Sequence, residues 1–120
     1  MINILAIDDD EKFTFLIKDL FKDVGYSIIT KNNGREGINT FNRSDNIDIV
    51  ITDIDMPGIN GNEVAKLIRK SRNKKRRTTP IIALTGSGME NVEKDLFNNV
   101  LEKPVKIKKL LSTISEYSQN

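Results

Sequence analysis

The chain has 120 residues, no cysteine and no histidine, and a formal net charge of +2. That length suits one domain over residues 1–120. The missing cysteines exclude disulfides and thiolate metal sites, and without histidine any chemistry must run on carboxylates, hydroxyls and lysines.

The net charge conceals an uneven distribution. Eight basic residues fall between Lys66 and Arg77 with no acid among them, and the rest of the chain sets 11 basic residues against 17 acids, a net of −6. No apolar run approaches the roughly 20 residues that cross a bilayer. The N-terminus lacks the basic-then-apolar pattern of a signal peptide. A cytoplasmic location without membrane contact is therefore expected.

Short apolar runs alternate with longer amphipathic ones. The first strand is Ile2 to Ile7, ending at Asp8. Between Glu11 and Val24, Phe13, Leu16, Ile17, Leu20, Phe21 and Val24 recur at helical spacing, with Asp10 placed to cap the start and Gly25 to stop the end. Tyr26 to Thr30 is a second strand. Arg35 to about Phe41 is a short helix that Gly37 weakens by about 1 kcal/mol relative to alanine.

Ile47 to Thr52 is the third strand. A helix starts at Asn62, with Val64, Ala65, Leu67 and Ile68 facing inward. Pro80 to Leu84 is the fourth strand, Met89 to about Phe97 the fourth helix, and Val100 to Glu102 the fifth strand. Lys106 to about Tyr117 is the last helix. Five strand–helix units without clean polar alternation in the strands predict an α/β fold, a doubly wound parallel sheet covered on both faces. Ligands in such folds bind beyond the carboxyl ends of the strands.

Those ends carry the chemistry. The first strand ends in Asp8-Asp9-Asp10, the third in Asp53, the fourth in Thr85-Gly86-Ser87 and the fifth at Lys103-Pro104. A parallel sheet brings all of them to one edge. Three crowded carboxylates repel each other, and Lys103 offsets only part of that. A hard divalent cation offsets the rest, and an all-oxygen donor set at an open edge favours Mg²⁺. Such a site suits a phosphoryl group, with one carboxylate as nucleophile.

The stretches I-L-A-I-D-D-D, K-N-N-G, I-V-I-T-D-I-D-M-P-G-I-N-G, P-I-I-A-L-T-G and E-K-P-V, in this order along nearly the whole chain, resemble the receiver domain of bacterial two-component response regulators. Asp53 follows Asp9 by 44 residues and Asp8 by 45, the separations usual in that family. The resemblance implies a flavodoxin-like strand order 2-1-3-4-5. It also implies that Asp53 is the phospho-acceptor, with Mg²⁺ held by Asp8, Asp9, Asp53 and the backbone carbonyl of Asp55. Thr85 would bond the phosphoryl group, and Lys103, ahead of a cis bond to Pro104, would pair with Asp53.

The implied partners are a sensor histidine kinase or histidine phosphotransfer protein and a downstream protein target, with the chain a monomer or weak dimer. Nucleic acid is not expected as a partner. On this reading the chain is not an enzyme beyond its own phosphoryl transfer and slow dephosphorylation. Two departures fall on the family's usual output face. Val100 stands where Tyr or Phe is usual, and the 18 residues from Thr85 to Lys103 are about one helical turn fewer than usual. The fourth helix should therefore be short or irregular.

Plainer readings stand beside these. Asp10 is a cap rather than a ligand, Asp55 is as well explained as a solvent-facing turn acid, Thr85 could cap the next helix, and Ser87 is a loop residue. The basic run reads as a solvated helix end with a mobile loop beyond; contact with nucleic acid or an acidic protein is the sharper reading, but no aromatic interleaves the charges. Two other functions compete. A phosphate-independent adaptor would keep the fold and signal by binding alone. A haloacid-dehalogenase-like phosphatase would share the D-x-D of Asp53 and Asp55, but it needs that motif on an early strand and acids after the lysine, where only Glu116 follows.

Overall fold

In the computed structural model, which describes residues 1–117, five parallel strands form one sheet in the order β2-β1-β3-β4-β5. The strands are β1 (Asn3–Ile7), β2 (Ser27–Lys31), β3 (Ile49–Asp53), β4 (Ile81–Thr85) and β5 (Asn99–Glu102). The helices are α1 (Glu11–Asp23), α2 (Gly34–Arg43), α3 (Gly61–Arg69), the single turn α4 (Lys74–Arg77) and α5 (Ile107–Ser115). The expected fold class and strand order hold.

The continuous apolar strands follow from burial on both sides. Successive side chains point to opposite faces. Ile4, Ala6, Ile49, Ile51, Ile82 and Leu84 pack with Ile17 and Phe21 of α1 and Leu110 and Ile114 of α5. The intervening Leu5, Ile7, Val50 and Ile81 pack with α2 and with Val64, Ala65 and Ile68 of α3. Each fully buried Ile, Leu, Val or Phe among them stabilises the fold by about 1.5–3 kcal/mol relative to exposure.

Local signals set the helix ends. The Asp10 carboxylate accepts from the backbone N–H groups of Lys12 and Phe13, so it is a cap, and Gly25 takes φ 93° just beyond α1. α3 begins one residue before the expected Asn62, because Asn60 and Glu63 form a reciprocal capping box. Gly37 has a purpose that helix propensity hides. A Cβ there would lie 2.3 Å from Cδ1 of Ile7, so only glycine lets α2 lie this close to β1.

Residues 89–97 hold no α-helix. Two 3-10 turns, Met89–Asn91 and Lys94–Leu96, take its place. Residues 86–98 run from the end of β4 to the start of β5, and within 89–97 the backbone bonds close over three residues rather than four, from Val92 to Met89, Leu96 to Glu93 and Phe97 to Lys94. We call this stretch the strap. Beneath it Val100, half-buried, packs with Ile54, Ala83 and Val92.

The chain beyond α3 also differs from expectation. Residues 74–77 form a helical turn, not a plain loop, capped by Asn73. Arg76 pairs with Asp45 at 2.9 Å, and the Lys75 ammonium donates to the Asp45 carbonyl at 3.2 Å.

Candidate functional site

Strand register builds the site. Ile7 lies opposite Thr52, and Asp53 opposite Leu84, so Asp8, Asp53 and Thr85 leave their strands within about one residue of the same level. The backbone N–H of Lys103 donates to the Thr85 carbonyl at 2.8 Å, which extends the β4–β5 pairing and fixes where the lysine emerges.

The carboxylates of Asp8, Asp9 and Asp53 each present an oxygen within 4.8 Å of the others. Asp8 and Asp53 are buried, at 1% and 4% exposure, while Asp9 is open to solvent. The Lys103 ammonium donates to Oδ2 of Asp8 at 2.9 Å and stands 3.4 Å from Oδ1 of Asp53. It also lies 5.8 Å from the centre of the Phe13 ring, a contact the sequence did not signal. Asp8 further accepts from the backbone N–H of Asp10 at 3.0 Å.

One cation among three carboxylates leaves the rim electron-rich. Burial, then the neighbouring Asp8, push the Asp53 carboxyl up to about 6, and Asp9 adds to the rise while Lys103 opposes it. Burial alone would lower Lys103, but its contacts with Asp8 and Asp53 outweigh that and raise it overall. A partly buried, all-oxygen, under-neutralised cluster open to solvent at Asp9 fits a hard divalent cation such as Mg²⁺.

Thr85 is at the rim, but its hydroxyl is turned into its own loop. It donates to the Gly88 carbonyl at 3.1 Å and accepts from the Ser87 N–H at 3.3 Å. The side chain of Asp55 is exposed yet engaged, because Ser87 Oγ donates to its Oδ2 at 2.6 Å. Asn91 Nδ2 then donates to Ser87 Oγ at 2.9 Å, and Asn62 Nδ2 to the Asn91 carbonyl at 2.9 Å. The structure thus unites Asp8, Asp9, Asp53 and Lys103 directly. It links Asp55 and Thr85 through the strap's first residues.

That linkage continues along one face of α3. Asn62 Oδ1 accepts from the Glu93 N–H at 3.0 Å, and Lys66 pairs with Glu93 at 3.1 Å. Arg69 donates to the carbonyls of Leu96 at 3.1 Å, Arg77 at 3.0 Å and Thr79 at 2.7 Å, and to Oδ1 of Asn98 at 3.0 Å. Asn62, Lys66 and Arg69 are spaced at helical intervals, so the face was visible in the sequence but its polar target was not. Burial lowers the Arg69 guanidinium from its ordinary value.

The family model for the response regulator receiver domain matches residues 4–115. The chain is 28% identical over 120 residues to the sensor histidine kinase GacS of Pseudomonas protegens, matching 96% of this chain and 13% of that protein. It is 33% identical over 90 residues to the transcriptional regulatory protein CpxR of Escherichia coli, matching 75% of this chain and 36% of that one. It therefore spans only a minor part of these relatives. The response regulator TrrA of Thermotoga maritima, solved in complex with Mg²⁺ and BeF, superimposes with a TM-score of 0.85 at 33% identity, covering 98% of this chain and 99% of TrrA. TrrA has also been solved in complex with the histidine kinase ThkA, where the match has a TM-score of 0.84 and covers 99% of this chain and 100% of that one.

Proposed function

This chain belongs to the response regulator receiver domain family, and on that footing we propose that Asp53 accepts a phosphoryl group from a phosphohistidine on a kinase or phosphotransfer partner. The observation that carries this reading is the cluster of Asp8, Asp9 and Asp53 oxygens within 4.8 Å, with Lys103 as its one close cation among the described residues.

The chemistry follows from the residues. Without a cation, burial and Asp8 raise the Asp53 carboxyl to about 6, so it is largely ionised at neutral pH, and a bound cation would hold it ionised and ready to attack. A carboxylate oxygen forms the O–P bond as the N–P bond breaks, and the electron pair stays on the imidazole, which takes up a proton. Lys103, already 3.4 Å from Asp53, turns from that carboxylate to the arriving phosphoryl oxygens. Asp8, Asp9, Asp53 and the backbone carbonyl of Asp55 would hold Mg²⁺. The metal supplies neutralisation of the phosphoryl oxygens.

Thr85 reports the event by exchanging its Gly88 partner for the phosphoryl group, which releases the start of the strap. Residues 1–120 act as one receiver domain, located in the cytoplasm, whose only catalysis is its own modification and its slow loss. TrrA with Mg²⁺ and BeF, and TrrA with a histidine kinase, support the metal and the class of donor.

Incubating the protein with Mg²⁺ and acetyl phosphate should add one phosphoryl mass to the wild type and none to Asp53→Ala. An unmodified wild type would overturn the proposal. A second reading, a phosphate-independent adaptor, is favoured by one observation: the strap is already pinned along α3. In that case partner binding would be equal for wild type and Asp53→Ala, with or without Mg²⁺.

A further inference from the structure

The fold accounts for only half of the basic run. Lys66 pairs with Glu93, Arg69 binds the strap, and Lys75 and Arg76 hold Asp45. Among the described residues, no carboxylate lies within ion-pair distance of Lys70, Arg72, Lys74 or Arg77, and all four are exposed. Arg77 Nη1 donates only to the Arg72 carbonyl, at 3.2 Å, which brings the two arginine positions together without neutralising either.

The apolar spacing predicts that Leu67 faces inward with Val64, Ala65 and Ile68, but the structure buries only those three and leaves Leu67 47% exposed, one turn before Lys70. Glu63, one turn earlier, is turned to the helix start by the capping box, so it does not screen the leucine's basic neighbours. Arg69, on the strap-facing side of α3, ties the end of α4 to α3 through the Arg77 carbonyl.

Its position separates it from the phosphoryl site. Arg76 holds Asp45, which precedes β3, and Arg69 holds Thr79, which precedes β4. The patch therefore lies at the amino edge of the sheet, and the aspartate rim at the carboxyl edge. Everything outside residues 66–77 sums to −6, so an acidic partner is repelled from the rest of the molecule and steered to this end.

We propose that Leu67 with Lys70, Arg72, Lys74 and Arg77 forms a docking surface for an acidic amphipathic segment of a partner protein. An exposed apolar side chain one turn from Lys70, followed along the chain by the unpaired cations Arg72, Lys74 and Arg77, matches a segment that offers both carboxylates and an apolar stripe. A nucleic acid backbone offers charge but nothing for Leu67, and no aromatic residue stands among the cations to stack on a base. The surface goes beyond phosphoryl acceptance and does not depend on Asp53.

The test uses three fluorescent probes at 0.15 M salt: a 20-residue helical peptide of glutamate with leucine at every third or fourth position, a 20-residue polyglutamate, and a 20-base-pair DNA duplex. The leucine-bearing peptide should bind most tightly, with backbone amide shifts confined to residues 64–78. Lys70→Glu combined with Lys74→Glu should weaken it at least tenfold, and Leu67→Ser about threefold or more. Asp53→Ala should leave it unchanged. These exposed positions should not alter the thermal melt, and Lys70→Gln with Lys74→Gln gives a milder check on the same scale. The proposal fails if the peptide does not bind, if the shifts map elsewhere, if the variants bind equally, or if the duplex binds more tightly than the peptide.

Discussion

Lys103 and Asp8 form the closer of the two ion pairs at the aspartate rim, 2.9 Å against 3.4 Å for Lys103 and Asp53. Without a metal, the lysine thus answers first to the most buried carboxylate. Lys103→Gln leaves Asp8 buried with a weaker partner, the backbone N–H of Asp10. The variant should lose about 1–3 kcal/mol in urea unfolding with EDTA present. Millimolar Mg²⁺ should restore part of that loss. Equal stability with EDTA would show that the pair contributes nothing.

Stability should depend on pH through Asp53. Its carboxyl sits at about 6 in the fold against 3.8 for the ordinary group. Between these values the folded state binds more protons than the unfolded chain, so stability falls as pH rises through the window and stays lower above it. Asp53→Asn removes the titration. In metal-free buffer at pH 7 the variant should be more stable than the wild type by about 1–3 kcal/mol, a gap that closes below about pH 4. Paired thermal melts across pH 3.5–8 measure it; a gap of the same size at both ends would refute the assigned cause.

Gly61 touches the back of the site. A Cβ there would lie 2.3 Å from the Asp53 carbonyl and 2.8 Å from Cα of Ile54, both backbone atoms that cannot step aside. Gly61→Ala should push α3 away from the end of β3 and cost about 1–3 kcal/mol. Beryllofluoride binding should weaken several-fold although no reacting group has changed. Titration of both proteins, read by the change in amide spectra, decides the matter.

Arg69 replaces the internal bonding that a helix over 89–97 would have supplied. Arg69→Gln gives up most of its four bonds and should cost about 2–3 kcal/mol. Arg69→Lys should rescue little, because an ammonium has no planar fork to reach several carbonyls at once. Hydrogen exchange should quicken at residues 89–98 before it does in β3. Uniform exchange across the molecule would show that the clamp is not local.

How much of this was legible in the sequence depends on the range of the interaction. Asp8, Asp9, Asp53 and Lys103 could be brought together on paper because strand ends in a parallel sheet share an edge, whatever the loops do. The cap at Asp10 was readable because it acts within three residues. Ser87 binding Asp55, 32 positions apart, was not, nor was Arg69 reaching Leu96 and Asn98. Polar side chains choose such partners by three-dimensional proximity and leave no periodic trace. The apolar spacing in residues 89–97 suggested a helix. The segment bonds to α3 instead, and the short span from Thr85 to Lys103 had already pointed to an irregular segment.

The strap carries one more consequence. A helix supplies its own scaffold, because each turn bonds to the next. Residues 89–98 instead borrow their donors from Asn62, Lys66 and Arg69. Their contour is thus written partly in another element's sequence. Substitutions along α3 would remodel the strap's surface without touching its own sequence, so two lineages with identical straps could present differently shaped faces to their partners.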